Sequence, residues 1–296
     1  MPGTQKTGLI AALIGAGLLG FAAIFVKWSV GVSPLAVGFY RMLFALPFVF
    51  WLALREGPPR ASESGGMLWA ILGGVCFTAD LWLWHVALHW TTAANATLLV
   101  GIAPLWVALT TVLFLGFRLG RWGWLGLILA LSGAAFLGLA AGARLGGGRG
   151  EFLGFLASFG YAGYMVSLSK ARAKLSAPRA LLVVVATATL AFGLLALAQG
   201  AAFRGFPPQA WLALLGLGTV VQVGAWWLIS WGFGHVPASM GSLALLFQQA
   251  ATVLLGWLLL KEAPGPAQGA GILLILGGIA LAAGHPPVPT GRGRAG

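Results

Sequence analysis

The sequence predicts an all-α integral membrane protein of ten transmembrane helices, and three observations carry that prediction. Of 296 residues, 59% are hydrophobic and only 7% charged, 17 basic and 5 acidic, with a mean hydropathy of +0.95. A soluble globular domain carries roughly 25% charged residues, so these are too few to cover a soluble surface of this size. The chain also divides into ten apolar runs, each able to supply the about 20 residues that cross a bilayer as a helix. Finally, the basic residues fall between the runs, as loops held against anionic lipid do.

Charged residues, prolines or glycines bound each run. Residues 1–7 precede span 1 (8–28), which closes on Lys27. Its apolar stretch from Leu9 to Val26 is too long for a signal-peptide core and lacks a cleavage site, so it reads as a retained helix. Span 2 (34–55) opens at Ser33-Pro34 and ends on Arg55; span 3 (66–88) joins span 4 (92–114) through a short turn around His89–Thr91. Span 5 (121–141) carries Gly126, Ala130, Ala134, Gly138 and Gly142 every four residues. That is a small-residue ridge for close helix packing, within the bundle or in a dimer. Spans 6 (150–170), 7 (179–198) and 8 (210–233) follow, and a short turn at Gly234–Val236 leads to span 9 (237–260). Span 10 (267–284) ends in a Pro/Gly-rich tail, 285–296, expected to be disordered.

Orientation follows the basic residues. With the N-terminus cytoplasmic, that side holds Lys6, Arg55, Arg60, Arg118, Arg121, Lys170, Arg172, Lys174, Arg179, Arg292 and Arg294. The other side holds Lys27, Arg144, Arg149, Arg204 and Lys261, so both termini are expected in the cytoplasm of a cell whose inner membrane holds the protein. The chain also matches itself at a shift of 145: Gly126 falls on Gly271, Gly133 on Gly278, and His89-Trp90-Thr91 on Gly234-His235-Val236. Five spans per half (8–141 and 150–284) is an odd number, so the halves are expected to cross the bilayer in opposite senses. Such inverted repeats place a substrate site between them near the midplane in secondary transporters.

Several function classes fall away. The scattered basic residues do not form the patch that nucleic acid requires. The single Cys76 allows no disulfide framework. No GxxxxGK loop exists to hold a nucleotide, so an ATP-driven pump is excluded. No cofactor is expected and no catalytic residue is assigned. The competing reading is a membrane-embedded haem or metal enzyme using His85 and His89, four apart on one helical face.

The motifs resemble a known family. Ser33-Pro34 followed by Arg41, Thr91-Thr92-Ala93-Ala94 opening span 4, and Leu260-Lys261-Glu262 followed by Gly271 and Gly277-Gly278 are similar to the EamA-type family of the drug/metabolite transporter superfamily. Within it the chain is most similar to exporters of amino acids, aromatic ones included. The resemblance implies two inverted five-helix repeats around a central cavity, exporting small metabolites. Phe117 departs from the pattern, standing where the second repeat has Glu262.

Asp80 is the acidic residue deep in a span, where a carboxylate costs about 2.5–3.5 kcal/mol on insertion scales. It is a candidate to bind a substrate ammonium, to carry a coupling proton, or to pair with Arg41 or Lys27. Cys76, Asp80 and Trp84 share a stripe of span 3, with Trp82 and His85 flanking. Span 4 offers Asn95 and Trp106, span 6 Ser158, Tyr161 and Tyr164, and span 8 Gln222, Trp226, Trp227, Ser230 and Trp231. Of the adjacent Gln248 and Gln249, at most one lines a cavity, and Gln249 is the candidate taken. Aromatic walls with few polar groups suit an amphipathic solute such as an aromatic amino acid. Lys27 and Arg41 are assigned gating or structural charge, and a monomer or homodimer in the lipid bilayer is expected.

Overall fold

The computed structural model describes residues 3–57, 64–87, 90–91, 93–144, 146–261 and 263–289. Ten helical spans among them are long and apolar enough to cross a membrane. Span 1 comprises α1 (Gly3–Leu19) and α2 (Phe21–Trp28); α3 (Pro34–Leu54) and α4 (Ser64–Ala87) form spans 2 and 3. Span 4 comprises α5 (Ala93–Val100) and α6 (Ala103–Leu113). Spans 5 to 7 are α7 (Arg121–Ala140), α8 (Arg149–Arg172) and α9 (Ala177–Ala198). Span 8 runs through α10 (Pro208–Gly216), a π-helical segment (Leu217–Ala225) and α11 (Trp226–Phe233). Span 9 comprises α12 (Ala238–Ala244) and α13 (Phe247–Leu260), and span 10 is α14 (Pro266–Gly284).

Spans 1, 4 and 9 are interrupted and span 8 is widened, each within a single apolar run of the sequence. The break after Gly101 precedes Pro104, whose missing N–H removes a helical hydrogen bond. The break at Leu245–Leu246 has no Gly or Pro to mark it. Elsewhere the ends follow ordinary chemistry. Ser33 Oγ accepts from Ala36 N at 3.3 Å to cap α3, and Ser176 Oγ accepts from Arg179 N at 3.4 Å to cap α9. A proline occupies the first turn of each.

Helix α4 packs along α8, α1 along the π segment and α11, α3 along α9, α6 against α12, and α7 along α14. The interior holds Phe77, Tyr164, Phe192, Leu214 and Trp226, while Ile10, Leu68, Leu125, Leu190, Leu212 and Leu273 face outward. An outer coat of large apolar side chains on every side suits lipid as solvent. The small-residue ridge of span 5 is divided. A β-carbon on Gly126 would stand 2.6 Å from the Gly278 carbonyl oxygen, and one on Gly133 would stand 2.6 Å from that of Gly271. Ala130 and Ala134 are buried beside them. Gly138 instead meets Leu98 of α5, and Gly142 lies beyond the helix at φ +89°, in the left-handed region.

Both ends of the bundle are clasped. At one end Glu151 Oε1 accepts from Thr91 Oγ1 (2.5 Å) and Asn95 Nδ2 (2.8 Å), and Glu151 Oε2 accepts from Gly148 N (3.1 Å). At the other, Glu56 meets the Ser176 hydroxyl and lies 3.8 Å from Arg179 Nε. Basic groups lie over indole rings at both ends: Arg55 on Trp51, Lys170 on Trp69 and Arg121 on Trp122 at one, Arg149 on Trp90 at the other. The tail expected to be disordered contributes Val288–Pro289, a short strand antiparallel to Phe117–Arg118. An extended proline-rich stretch can pair on one edge.

Candidate functional site

Four spans bring a polar cluster into the centre of the bundle. Arg41 lies two turns into α3, and its Nε donates to Gln222 Oε1 at 2.9 Å. Gln222 belongs to the π-helical segment, where Gly218 lets the α3 backbone approach: a β-carbon there would stand 3.2 Å from the Arg41 carbonyl oxygen. A widened turn of this kind recurs at functional sites. The Arg41 guanidinium lies 5.8 Å from the centroid of Phe77, within reach of a cation–π contact.

Phe77, Tyr164 and Trp226 form an aromatic triangle, with centroid separations of 4.6 Å (Phe77–Tyr164), 4.9 Å (Tyr164–Trp226) and 5.6 Å (Phe77–Trp226). Asp80 follows Phe77 on the same face of α4, where Gly160 of α8 presses close: a β-carbon on Gly160 would stand 2.9 Å from Asp80 N. Asp80, Tyr161 and Tyr164 lie within electrostatic reach of Arg41. Among the described residues, however, no ion pair joins Arg41 to Asp80.

Most of the cluster is buried, while Arg41 and Tyr161 keep partial exposure. Tyr164 and Gln222 are 0% exposed, Trp226 2% and Asp80 4%. Tyr164 Oη, Gln222 Nε2 and Trp226 Nε1 have no hydrogen-bond partner among the described residues, and neither do Trp82 Nε1 and Ser230 Oγ. A buried donor left unsatisfied costs about 1–3 kcal/mol. Three of these atoms lie around one aromatic triangle, where water or a polar group from outside the chain can partner them.

The remaining candidates lie elsewhere. Asn95 is held in the clasp: besides Glu151 it donates to Thr91 Oγ1 (2.8 Å) and the Arg144 carbonyl (2.9 Å), and it accepts from Arg144 N (2.6 Å). Trp106 donates to Ser158 Oγ at 2.8 Å and stacks on Phe159 at 4.5 Å, between α6 and α8. Trp84 is half-buried against the ring of His85, at 5.2 Å. Trp227 is 40% exposed and faces the outer coat, and Lys27 is exposed near the end of α2. Gln249 reaches into the break of span 4, with Nε2 2.8 Å from where a Gly101 β-carbon would stand. The partner proposed for His85 in a metal site, His89, lies outside the described residues, as does Glu262.

Two placements escape a sequence reading. Phe77 is an apolar residue in an apolar helix; its position three residues before Asp80 is the signal that could have found it. Arg172, counted above as a loop charge, folds inward: its Nε donates to the Ser230 carbonyl at 2.7 Å, and a second nitrogen donates to the Leu175 carbonyl.

A profile described as the EamA-like transporter family matches the chain twice, over residues 6–139 and 148–284. A relative from Archaeoglobus fulgidus, described as an uncharacterized transporter, is 29% identical over 279 residues, covering 94% of this chain and 97% of its own. A solved structure described only as "Crystal structure of protein" superposes with a TM-score of 0.78 at 21% identity, covering 93% of this chain and 98% of that one. That likeness speaks to the fold.

Proposed function

The chain belongs to the EamA-like transporter family, and on that premise we propose that it is a secondary transporter exporting small amphipathic metabolites, amino acids including aromatic ones, by alternating access. The observation that carries this reading is the central cluster of Arg41, Asp80, Tyr161, Tyr164, Gln222 and Trp226. Its unsatisfied polar atoms and aromatic walls match a solute with one polar and one apolar end. Asp80 is assigned the substrate ammonium or a coupling proton. The membrane is the inner membrane, with both termini cytoplasmic, as the distribution of Lys and Arg favours.

The two halves are read as inverted repeats. Gly126 and Gly133 correspond to Gly271 and Gly278 at an offset of 145, yet the contacts run crosswise, Gly126 to Gly278 and Gly133 to Gly271. Reciprocal contact of that form is what a two-fold axis generates. Gly15 meets the Ala225 backbone as Gly160 meets that of Asp80, at the same offset in both partners. The breaks in spans 4 and 9 stand at corresponding places, and paired discontinuous helices accompany midplane sites in transporters.

The test is transport by the purified protein in proteoliposomes, using a panel of labelled amino acids with and without a pH gradient. Accumulation or counterflow of aromatic and large apolar amino acids, absent from empty vesicles, is expected. Folded protein that moves none of the panel overturns the assignment.

A further inference from the structure

We propose that the carboxylate is the end of the substrate that anchors it in this site, and that Arg41, Gln222, Trp226 and Tyr164 form its binding set. The inference rests on the reading of the central cluster as the substrate site. It follows from an inventory of what each side chain still has to offer.

The Gln222 carbonyl oxygen is already taken by Arg41 Nε at 2.9 Å, so the part of that amide left over is its N–H₂ group, a donor. The Trp226 indole nitrogen is a donor and nothing else. The Arg41 guanidinium carries five N–H donors, one of which is engaged with Gln222, and no acceptor. Tyr164 contributes a hydroxyl able to serve either way. The unsatisfied atoms of Tyr164, Gln222 and Trp226 are buried, and the Tyr164 and Trp226 rings lie 4.9 Å apart. These four side chains, taken apart from the acceptor-only carboxylate of Asp80, therefore hold a surplus of donors and a fixed positive charge.

A group that satisfies such a set must accept several hydrogen bonds and carry negative charge. A carboxylate, with two oxygens and about four lone-pair sites, does both. An ammonium does neither: it brings three more donors to a place where donors already lack partners. No ion pair with Asp80 occupies Arg41 among the described residues. Asp80 acts on Arg41 only through space, so the remaining guanidinium N–H groups are open to an anion from outside the chain, and Asp80 is assigned the positive end. Binding is accordingly expected to require the carboxylate and only to be improved by the amine.

The experiment uses matched triples of ligand: an amino acid, its carboxylate analogue lacking the amine, and its decarboxylated amine, built on phenylalanine, leucine and alanine. Each is titrated at neutral pH into the purified full chain in detergent, read by tryptophan fluorescence and by the shift in melting temperature. The expected order is amino acid, then carboxylate analogue, with the amine at least about ten-fold weaker than the carboxylate. In Gln222→Glu, which keeps the shape of the side chain and a partner for Arg41, carboxylate ligands lose at least about ten-fold in affinity while the melting temperature of the unliganded protein is retained. Phenethylamine competing as well as phenylalanine, with phenylpropionate silent, overturns the inference and leaves amino acid transport standing. Unchanged carboxylate affinity in folded Gln222→Glu overturns it too. Failure of every triple to bind the folded wild-type protein removes the transport assignment, and the inference with it.

Discussion

Arg41 and Gln222 stand 181 residues apart in the chain, yet a 2.9 Å hydrogen bond joins them inside the bundle. It ties span 2 to the widened turn of span 8, and it determines which atoms of both side chains remain for a ligand.

The first prediction tests the unsatisfied indole. Trp226→Phe keeps an aromatic ring against Phe77 and Tyr164 but removes a buried donor with no partner. Relieving that penalty is expected to raise the stability of the empty protein by about 1–3 kcal/mol while substrate affinity falls. Thermal unfolding in detergent, with and without substrate, reads both signs. Lower stability together with unchanged affinity would show that the indole N–H is not a substrate contact.

Asp80→Asn removes the charge and leaves the shape. The variant is expected to insert and fold normally, by helix content and elution volume, yet to lose uphill transport at least about ten-fold. Counterflow of labelled for unlabelled substrate separates the two assigned roles: lost if the carboxylate holds an ammonium, kept if it carries a coupling proton. Normal transport with normal pH dependence rejects both.

The seam between α7 and α14 leaves no space for added atoms. Gly133→Val and Ala134→Leu are expected to lower thermal stability by about 1–3 kcal/mol through overpacking. Gly269→Ala, on α14 with nothing within 4 Å of its added methyl group, is the control and should melt at or slightly above wild type. Equal melting of all three variants would contradict the close approach.

Topology is tested by cysteine labelling in a Cys76→Ser background. A cysteine at Ala61 is expected to react only with reagents that reach the cytoplasm, and one at Gly146 with impermeant reagents added outside. Gly146 is chosen because it is exposed, whereas the neighbouring Ala143 is buried. The reverse pattern would invert the assigned orientation.

The spans were readable because a helix in lipid must be about 20 apolar residues long and must satisfy its own backbone. Asp80, Tyr164, Gln222 and Trp226 stood out for a related reason: polar atoms inside such a span are expensive. What polarity alone could not supply was depth and direction. Asn95 is polar and one turn into its span, the description of a cavity residue, yet it serves a clasp at the rim. Trp226 and Trp227 are neighbours with opposite fates, because α11 is apolar all round and its periodicity names no inner face. The π-helical segment and the break at Leu245–Leu246 are backbone events with no residue signature.

The indole rings beneath Arg55, Lys170 and Arg121 at one end of the bundle and Arg149 at the other have a mechanical consequence. Rings of this kind settle at headgroup depth, and the cations over them are drawn to phosphates. The distance from these three rings to Trp90 at the opposite end is set by helix length, so the protein carries its own gauge of bilayer thickness. A membrane thinner or thicker than that gauge must deform or tilt the helices, at a cost of fractions of a kcal/mol per ångström. Acyl-chain length in the surrounding lipid thereby sets a mechanical load on the helices themselves, separate from any solute they handle.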